Sequence, residues 1–299
     1  MCPTAPSLAA LDPGALFRVN LTYLWRHGRL PKLANANLFT ELVQVRKLVD
    51  RDPRMPAMAD KLAVKTLVAD RLGKAWVVPT LWSGEALPEQ SRWAEPVVVK
   101  SRHGCNQNAF VREADADWPA LRARTAQWMR KPYGGWLDEW LYAHIERGLL
   151  VELFVGNGRA LPVDYKIFVF GGQATHVQVH LDRGTDHRWW VFDTDWRAAS
   201  PDAPAIARPS ALPAMIAAAV EMARGFSFAR VDFYQIAGQP MFGEICFYPG
   251  SGLDRFNPAR LDAEMGQLWM RAEGLDRVPR AAVPSGVPEP AMIAVPEPA

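Results

Sequence analysis

Residues 228–252 read FARVDFYQIAGQPMFGEICFYPGSG. Two runs of alternating apolar and polar residues flank a turn at Ala237-Gly238-Gln239, the pattern of a β-hairpin. Each run holds one carboxylate, Asp232 and Glu244. A three-residue loop pairs Ile236 with Pro240 and sets Asp232 opposite Glu244. Like charges facing one another across a strand pair repel, and a cation between them reverses the sign of that term. Arg230 lies two residues before Asp232 and so projects from the same face. The stretch reads as a Mg²⁺ seat with an arginine beside it. An exposed polar hairpin face is the rival reading, and the rest of the chain decides between them.

The chain has 299 residues, 49% of them hydrophobic, enough for one large domain or two small ones. A net charge of +2 gives no reason to expect nucleic acid or an anionic membrane as partner. No stretch approaches the roughly 20 apolar residues of a membrane span. The start of the chain lacks a basic segment followed by an apolar run, so no secretory signal is expected. Cys2, Cys105 and Cys246 are too scattered for a metal motif or a disulfide framework, which points to a reducing cytoplasm. The 12 tryptophans suggest a filled core or stacking surfaces.

Residues 13–31 could hold one short helix. Helical spacing of apolar residues covers 38–50 and ends at Pro53 and Pro56; Asp60-Lys61 opens a second helix, stopped at Gly73. Strands are expected at 75–82 and at 96–100, the latter ending on Lys100. The loop SRHGCNQNAF leads to a strand around 110–112, making a flap whose backbone N–H groups could grip phosphate. Residues 115–147 read as helical with a break at 131–135, and Trp118, Trp128, Trp136 and Trp140 as core packing. Strands follow at 149–155 and, joined at Gly171-Gly172, over 163–183. A charged loop is expected over 184–200, a helix over 211–225 and a final helix over 260–274. From Val278 the chain is rich in Pro and Ala and repeats VPEPA, which reads as an extended tail.

The polar residues expected on strands, or at a strand's end, are Lys100, Glu152, Asp164, Lys166, Arg183, Arg230, Asp232 and Glu244. Lysines, arginines and a carboxylate-bound metal clamping a polyanion are what nucleotide phosphoryl transfer requires. The ordered set Asp60-Lys61, VVVKSRHG (97–104), LLVELFV (149–155), DYKIFVFGG (164–172), Asp182-Arg183 and RVDFY…FGEICFYPGSG (230–252) resembles the TupA-like branch of the ATP-grasp superfamily over about residues 55–270. The resemblance implies an α+β fold: two subdomains clamping ATP between antiparallel sheets. They would be a small subdomain over 61–145 and a large one over 146–275, after a lead-in over 1–60 and before a tail over 276–299.

Carried onto this chain, the resemblance implies ATP and Mg²⁺ as cofactors. Lys100 is expected at the α/β-phosphates and Lys61 among the ATP-binding residues, with His103, Gly104 and Asn106 in the flap over the phosphates. Glu152, Leu153, Phe154 and Val155 would form the hinge that meets adenine, with Asp164 near the ribose or hinge. Lys166 and Arg183 would face phosphate, Asp232 and Glu244 would hold Mg²⁺, and Arg230 would stabilise an oxyanion. Ser251 and Gly252 would touch the acceptor. The chain departs from many ATP-grasp ligases at Cys246, where a metal-binding Asn is common and a thiol is a poor Mg²⁺ ligand. His176, His180 and His187 read as surface or structural residues, and Asp193 and Asp195 as solvated ones.

The implied activity is ATP-dependent carboxylate–amine ligation through an acyl phosphate. Its partner would be a small molecule or glycan precursor, as in decoration of a cell-surface polysaccharide or formation of a natural-product amide. A kinase acting on a hydroxyl would share every ATP-site residue. A glycosyltransferase would need a DxD motif, which Asp193-Thr194-Asp195 matches only formally.

Overall fold

The computed structural model describes residues 11–112, 117–156 and 161–275. Four helices open it: α1 (Pro13–His27), α2 (Phe39–Val49), α3 (Arg54–Ala59) and α4 (Ala63–Leu72). Asp12 caps α1 by accepting from the backbone N–H groups of Gly14 and Ala15, and Gly28 ends it at φ 73°. The expected break at Pro53 and Pro56 is filled by α3. Proline is tolerated there because the first turn of a helix has no internal use for its N–H groups.

β1 (Thr80–Gly84), β2 (Val97–Ser101), β3 (Asn108–Val111) and, after α5 (Trp118–Trp128), β4 (Leu149–Leu153) form an antiparallel sheet in the order β1-β4-β2-β3. The strand expected at 75–82 starts only at Thr80, because Lys74–Trp76 turn as a 3-10 helix. The helical reading of 115–147 holds for α5 alone; beyond the 131–135 break the chain makes 3-10 turns at Gly135–Leu137 and Trp140–His144. Trp118 is buried, whereas Trp136 is 63% exposed. The division expected at 145/146 falls before β4, yet β4 hydrogen-bonds to β1 and β2 and belongs to the first sheet.

The second sheet has the order β7-β6-β5-β8-β9, built from β5 (Asp164–Phe170), β6 (Gln173–Leu181), β7 (Arg188–Asp193), β8 (Phe228–Ile236) and β9 (Gln239–Cys246). β7 lies where a charged loop was expected; Trp190, Val191 and Phe192 are buried there, so packing overrides the flanking charges. α6 (Leu212–Met222) packs across β5, β6 and β8, and α7 (Arg260–Ala272) packs against β5 and α2. The Pro/Ala tail and most of the turn at 156–158 lie outside the described residues.

The β8–β9 hairpin turns in two residues, not three. Ile236 pairs with Gln239, and Ala237 and Gly238 both have positive φ, 49° and 80°, as a two-residue hairpin turn of the primed type demands. A bulge at Gly243 restores the missing residue, so Asp232 still faces Glu244. A Cβ at Gly243 would lie 3.1 Å from the carbonyl oxygen of Asp232, so the bulge favours glycine.

One face of β5 and β8 does two jobs. At one end Phe168, Phe170 and Phe228 meet Phe39 of α2, and both Phe39 and Phe228 meet Trp269 of α7. At the other end the same face carries Asp164, Lys166, Arg230 and Asp232. Phe39 is therefore the pin between the helical cover and the sheet. Phe39→Ala should cost about 3–5 kcal/mol, read as a lower midpoint in urea denaturation followed by tryptophan fluorescence.

Candidate active site

On the first sheet Glu152 of β4 is opposite Thr80 of β1 and Val98 of β2. Its buried carboxylate holds Lys100 of β2 at 2.5 Å and Lys65 of α4 in a second ion pair. Lys65 also donates to the Val78 carbonyl at 2.7 Å and to the Thr80 hydroxyl at 2.6 Å, so its three N–H bonds are used. Burial acts to raise the Glu152 pKa, but the two lysines outweigh it and hold the carboxyl below its ordinary range. One carboxylate against two lysines leaves a net positive charge on this wall. Sequence reading missed Lys65; it stands on α4's first turn, four residues after Lys61, which lies in the turn just before that helix.

On the second sheet a ladder of direct cross-strand partners runs Lys166–Asp232–Glu244. Asp232 is 1% exposed. Arg230 donates to both its oxygens, each at 2.7 Å, and Lys166 makes a further ion pair with it. Arg230 also reaches Glu244 at 3.6 Å, and the Glu244 side chain keeps 35% of its surface exposed. Asp164 pairs with Arg183 and lies 3.3 Å from Lys166. Three cations thus face three carboxylates. Burial pushes the Asp232 pKa up, and Arg230 and Lys166 more than reverse it. Burial likewise pulls the Lys166 pKa down, and Asp164 and Asp232 raise it above its ordinary value.

Two adjoining cavities lie between the sheets. The larger, about 250 Å³, is lined by Leu153, Phe154, Val155, Val78, Phe110 and Phe242 among others, with Lys100 and Glu152 at its wall. The smaller, about 90 Å³, is polar and holds Asp164, Lys166, Arg183, Asp232 and Glu244. Lys61, Lys100, Asn106, Arg183 and Tyr234 border both. Tyr234 and Phe242 were not singled out from sequence, since aromatic residues in an alternating strand read as core.

Other expected site residues lie elsewhere. His103 is fully buried, with Nε2 3.1 Å from the Trp128 carbonyl and Nδ1 accepting from Gly148 N–H, so it braces the flap from behind. Gly104 does border the polar cavity, and its carbonyl accepts from Lys61. Asp164 lies in the polar cavity, whereas Leu153, Phe154 and Val155 line the larger one. The Ser251 hydroxyl is 3.0 Å from Lys47 Nζ, and Gln44 and His27 hold the Gly252 carbonyl. Both residues face the N-terminal helices. A Cβ at Gly252 would lie 2.7 Å from the Thr40 carbonyl, so close packing requires glycine there. Arg230 borders neither cavity and acts on it through Asp232 and Glu244.

The donor set suits a hard cation. Asp232 and Glu244 supply carboxylate oxygens on facing strands, as Mg²⁺ prefers. Cys246 adds nothing, because burial pushes its thiol up to about 12. Among the described residues no group of three or more His, Cys, Asp and Glu side chains could by itself hold a metal. Mg²⁺ commonly completes its shell with waters and substrate phosphates instead. The apolar slot joined to a cation-lined end has the two-part character of a nucleotide: a flat base and a polyanion.

The family model described as TupA-like ATPgrasp matches residues 41–270. The chain belongs to that ATP-grasp family. A comparison with curated proteins found no match. Among solved structures, D-alanine–D-alanine ligase from Bacillus anthracis complexed with ATP is similar at a TM-score of 0.44 and 13% identity, covering 73% of this chain and 64% of that one. The ATP-grasp ligase PsnB, with Mg, ADP and a phosphomimetic variant of its minimal precursor, is similar at 0.41 and 13%, covering 75% and 59%. VanG D-Ala:D-Ser ligase from Enterococcus faecalis gives 0.44 and 15%, covering 73% and 62%. The chain thus spans under two thirds of each of these structures. Among the described residues no helix is long and apolar enough to cross a membrane.

Glu152 and Asp232 have folded-state pKa values below their unfolded ones. Their contribution to stability is present above about pH 4, the unfolded carboxylate range, and is lost as pH falls through the lower folded values. Unfolding free energy should therefore drop below about pH 4. Glu152→Gln should flatten that drop while lowering stability at pH 7, because it leaves two half-buried lysines without their counter-charge. Urea titrations at several pH values measure both.

Proposed function

We propose that the chain is an ATP- and Mg²⁺-dependent ligase that joins a carboxylate to an amine through an acyl phosphate. The observation that supports this most is the polar cavity, where Lys166, Arg183, Asp232 and Glu244 converge at the end of an apolar slot. In this reading the adenine base lies in the slot against Leu153, Phe154 and Val155, and the triphosphate runs past Lys100 toward Lys166. Mg²⁺ held by Asp232 and Glu244 would neutralise phosphate oxygens during transfer.

The chain's own residues do the rest. Lys100 is held in place by Glu152, so little ordering is needed when a phosphate arrives. Lys166 gives up part of its pairing with Asp232 to the incoming phosphate. Arg230 fixes both oxygens of Asp232, and through Asp232 and Glu244 its charge would bear on the oxygen where charge develops as the amine attacks. Lys61 and Gly104 tie the turn before α4 to the flap over the polar end, which would limit water during the lifetime of the acyl phosphate.

The reading is tested by following ADP and hydroxylamine-trapped acyl phosphate with ATP, Mg²⁺ and panels of carboxylates and amines. ADP formation that requires a carboxylate, with a hydroxamate product, is expected. A phosphorylated alcohol in place of the hydroxamate would replace the ligase with a kinase. Glu244→Gln, at a side chain exposed enough to tolerate the change, should lower turnover on the order of a hundredfold or more while leaving the fold intact by circular dichroism.

A further inference from the structure

His180 has a feature that the nucleotide site does not explain. It lies on β6 directly opposite Asp164 of β5, on the face that carries Lys166. Its Nδ1 is 2.8 Å from Nε2 of His187. Its Nε2 is buried and has no hydrogen-bond partner in the protein, and the same holds for Oδ1 of Asp164. Buried polar atoms without partners are uncommon and call for an explanation. Here two of them belong to one cross-strand pair, whose Asp164 lines the polar cavity. Trp189 stacks on the His180 ring at 16° between planes, which fixes its orientation. His187 is exposed and opens to solvent.

With the proton on Nδ1 donated to His187, His180 presents a lone pair at Nε2. The pair then offers two acceptors, one of them a carboxylate oxygen. That combination repels a carboxylate and suits a group bearing several N–H bonds and a positive charge. We propose that Asp164 Oδ1 and His180 Nε2 receive the ammonium of the amine substrate, and that His180 and His187 relay one proton from it to solvent. This rests on the ligase reading and adds to it the residues that make the amine nucleophilic.

The protons balance. An ammonium must lose one proton before it can attack. His180 Nε2 takes it while the Nδ1 proton of His180 moves to His187 Nε2, and His187 releases its Nδ1 proton to water. The neutral amine attacks the acyl carbon, the C–O bond to phosphate breaks, and the second N–H proton leaves with the phosphate. Acyl phosphate and ammonium give amide, hydrogen phosphate and one free proton. Burial, then the charges of Lys166, Arg230, His187 and Arg183, keep His180 well below its ordinary pKa, so it acts as a neutral relay and does not store the proton. His187 is lowered by its burial and by Arg183 and Lys166, with Asp164 and Asp254 opposing.

The test compares two nucleophiles in the full-length enzyme with Mg²⁺ and ATP. Hydroxylamine is uncharged at pH 7 and needs no deprotonation; an alkylammonium substrate from the panel does. His180→Asn and His187→Phe should keep hydroxamate formation within about twofold of wild type. Amide formation at pH 7 should fall on the order of a hundredfold, and the loss should shrink toward pH 9 as free amine accumulates. Equal loss with both nucleophiles, or no loss with either, overturns the relay and leaves the ligase reading standing. A wild type that forms neither product removes both. Histidine ¹⁵N spectra of the full chain give an arm that needs no substrate. They should show His180 neutral at pH 6, and an imidazolium there overturns the wiring whatever the kinetics.

Discussion

Asp232 is a charged carboxylate with almost no access to water, facing a second carboxylate across a strand pair. An arrangement like this is unstable unless cations surround it, because an unpaired buried charge costs several kcal/mol. Arg230 grips it from its own strand and Lys166 from the next. Lys166 is buried in turn and depends on Asp164, which depends on Arg183. The chain of dependence crosses β9, β8 and β5 and reaches Arg183 just beyond β6. It works only if the strands keep a single register, since a slip of one residue would send every charge to the opposite face. The hairpin bulge at Gly243 and the aromatic pin at Phe39 hold that register.

The first sheet repeats the device with one positive charge in excess. Glu152 sits between Lys65 and Lys100, leaving one positive charge toward the cavity. Across the cleft the second sheet is balanced, three cations to three carboxylates, with Glu244 the most exposed of its acids. A polyanion entering the cleft meets an uncompensated lysine on one wall. On the other it meets cations that can exchange a carboxylate for a phosphate, and that carboxylate becomes free for a metal. Buried ion pairs add little to stability for their desolvation cost; here they keep charged groups poised in a space that would otherwise expel them.

Much of this was legible in the sequence, and unevenly. The facing of Asp232 and Glu244 was read correctly through an incorrect turn: a two-residue loop and a one-residue bulge give the same register as a three-residue loop. Strand periodicity alone cannot separate those cases. Lys100, Glu152, Lys166 and Arg230 were found because charges on apolar strands demand partners. Lys65 was missed because a lysine on a helix usually faces water, and β7 because Trp, Arg and Asp together resemble a loop. His103 and Ser251 were misplaced because flap and loop residues can point to either side of the backbone, which only packing against Trp128 or α2 decides. His180 carries no local signal, and the unpartnered atoms of His180 and Asp164 exist only once β5 and β6 are paired.

The central claim is that the cleft between the two sheets binds Mg²⁺-ATP with its phosphates at the ladder of Lys166, Asp232 and Glu244. A crystal structure with Mg²⁺ and a non-hydrolysable ATP analogue tests it directly. The base should lie against Leu153, Phe154 and Val155, with the metal coordinated by Asp232 and Glu244 and phosphate oxygens on Lys100 and Lys166. A nucleotide bound outside the cleft, or a metal seated away from both carboxylates, would contradict it.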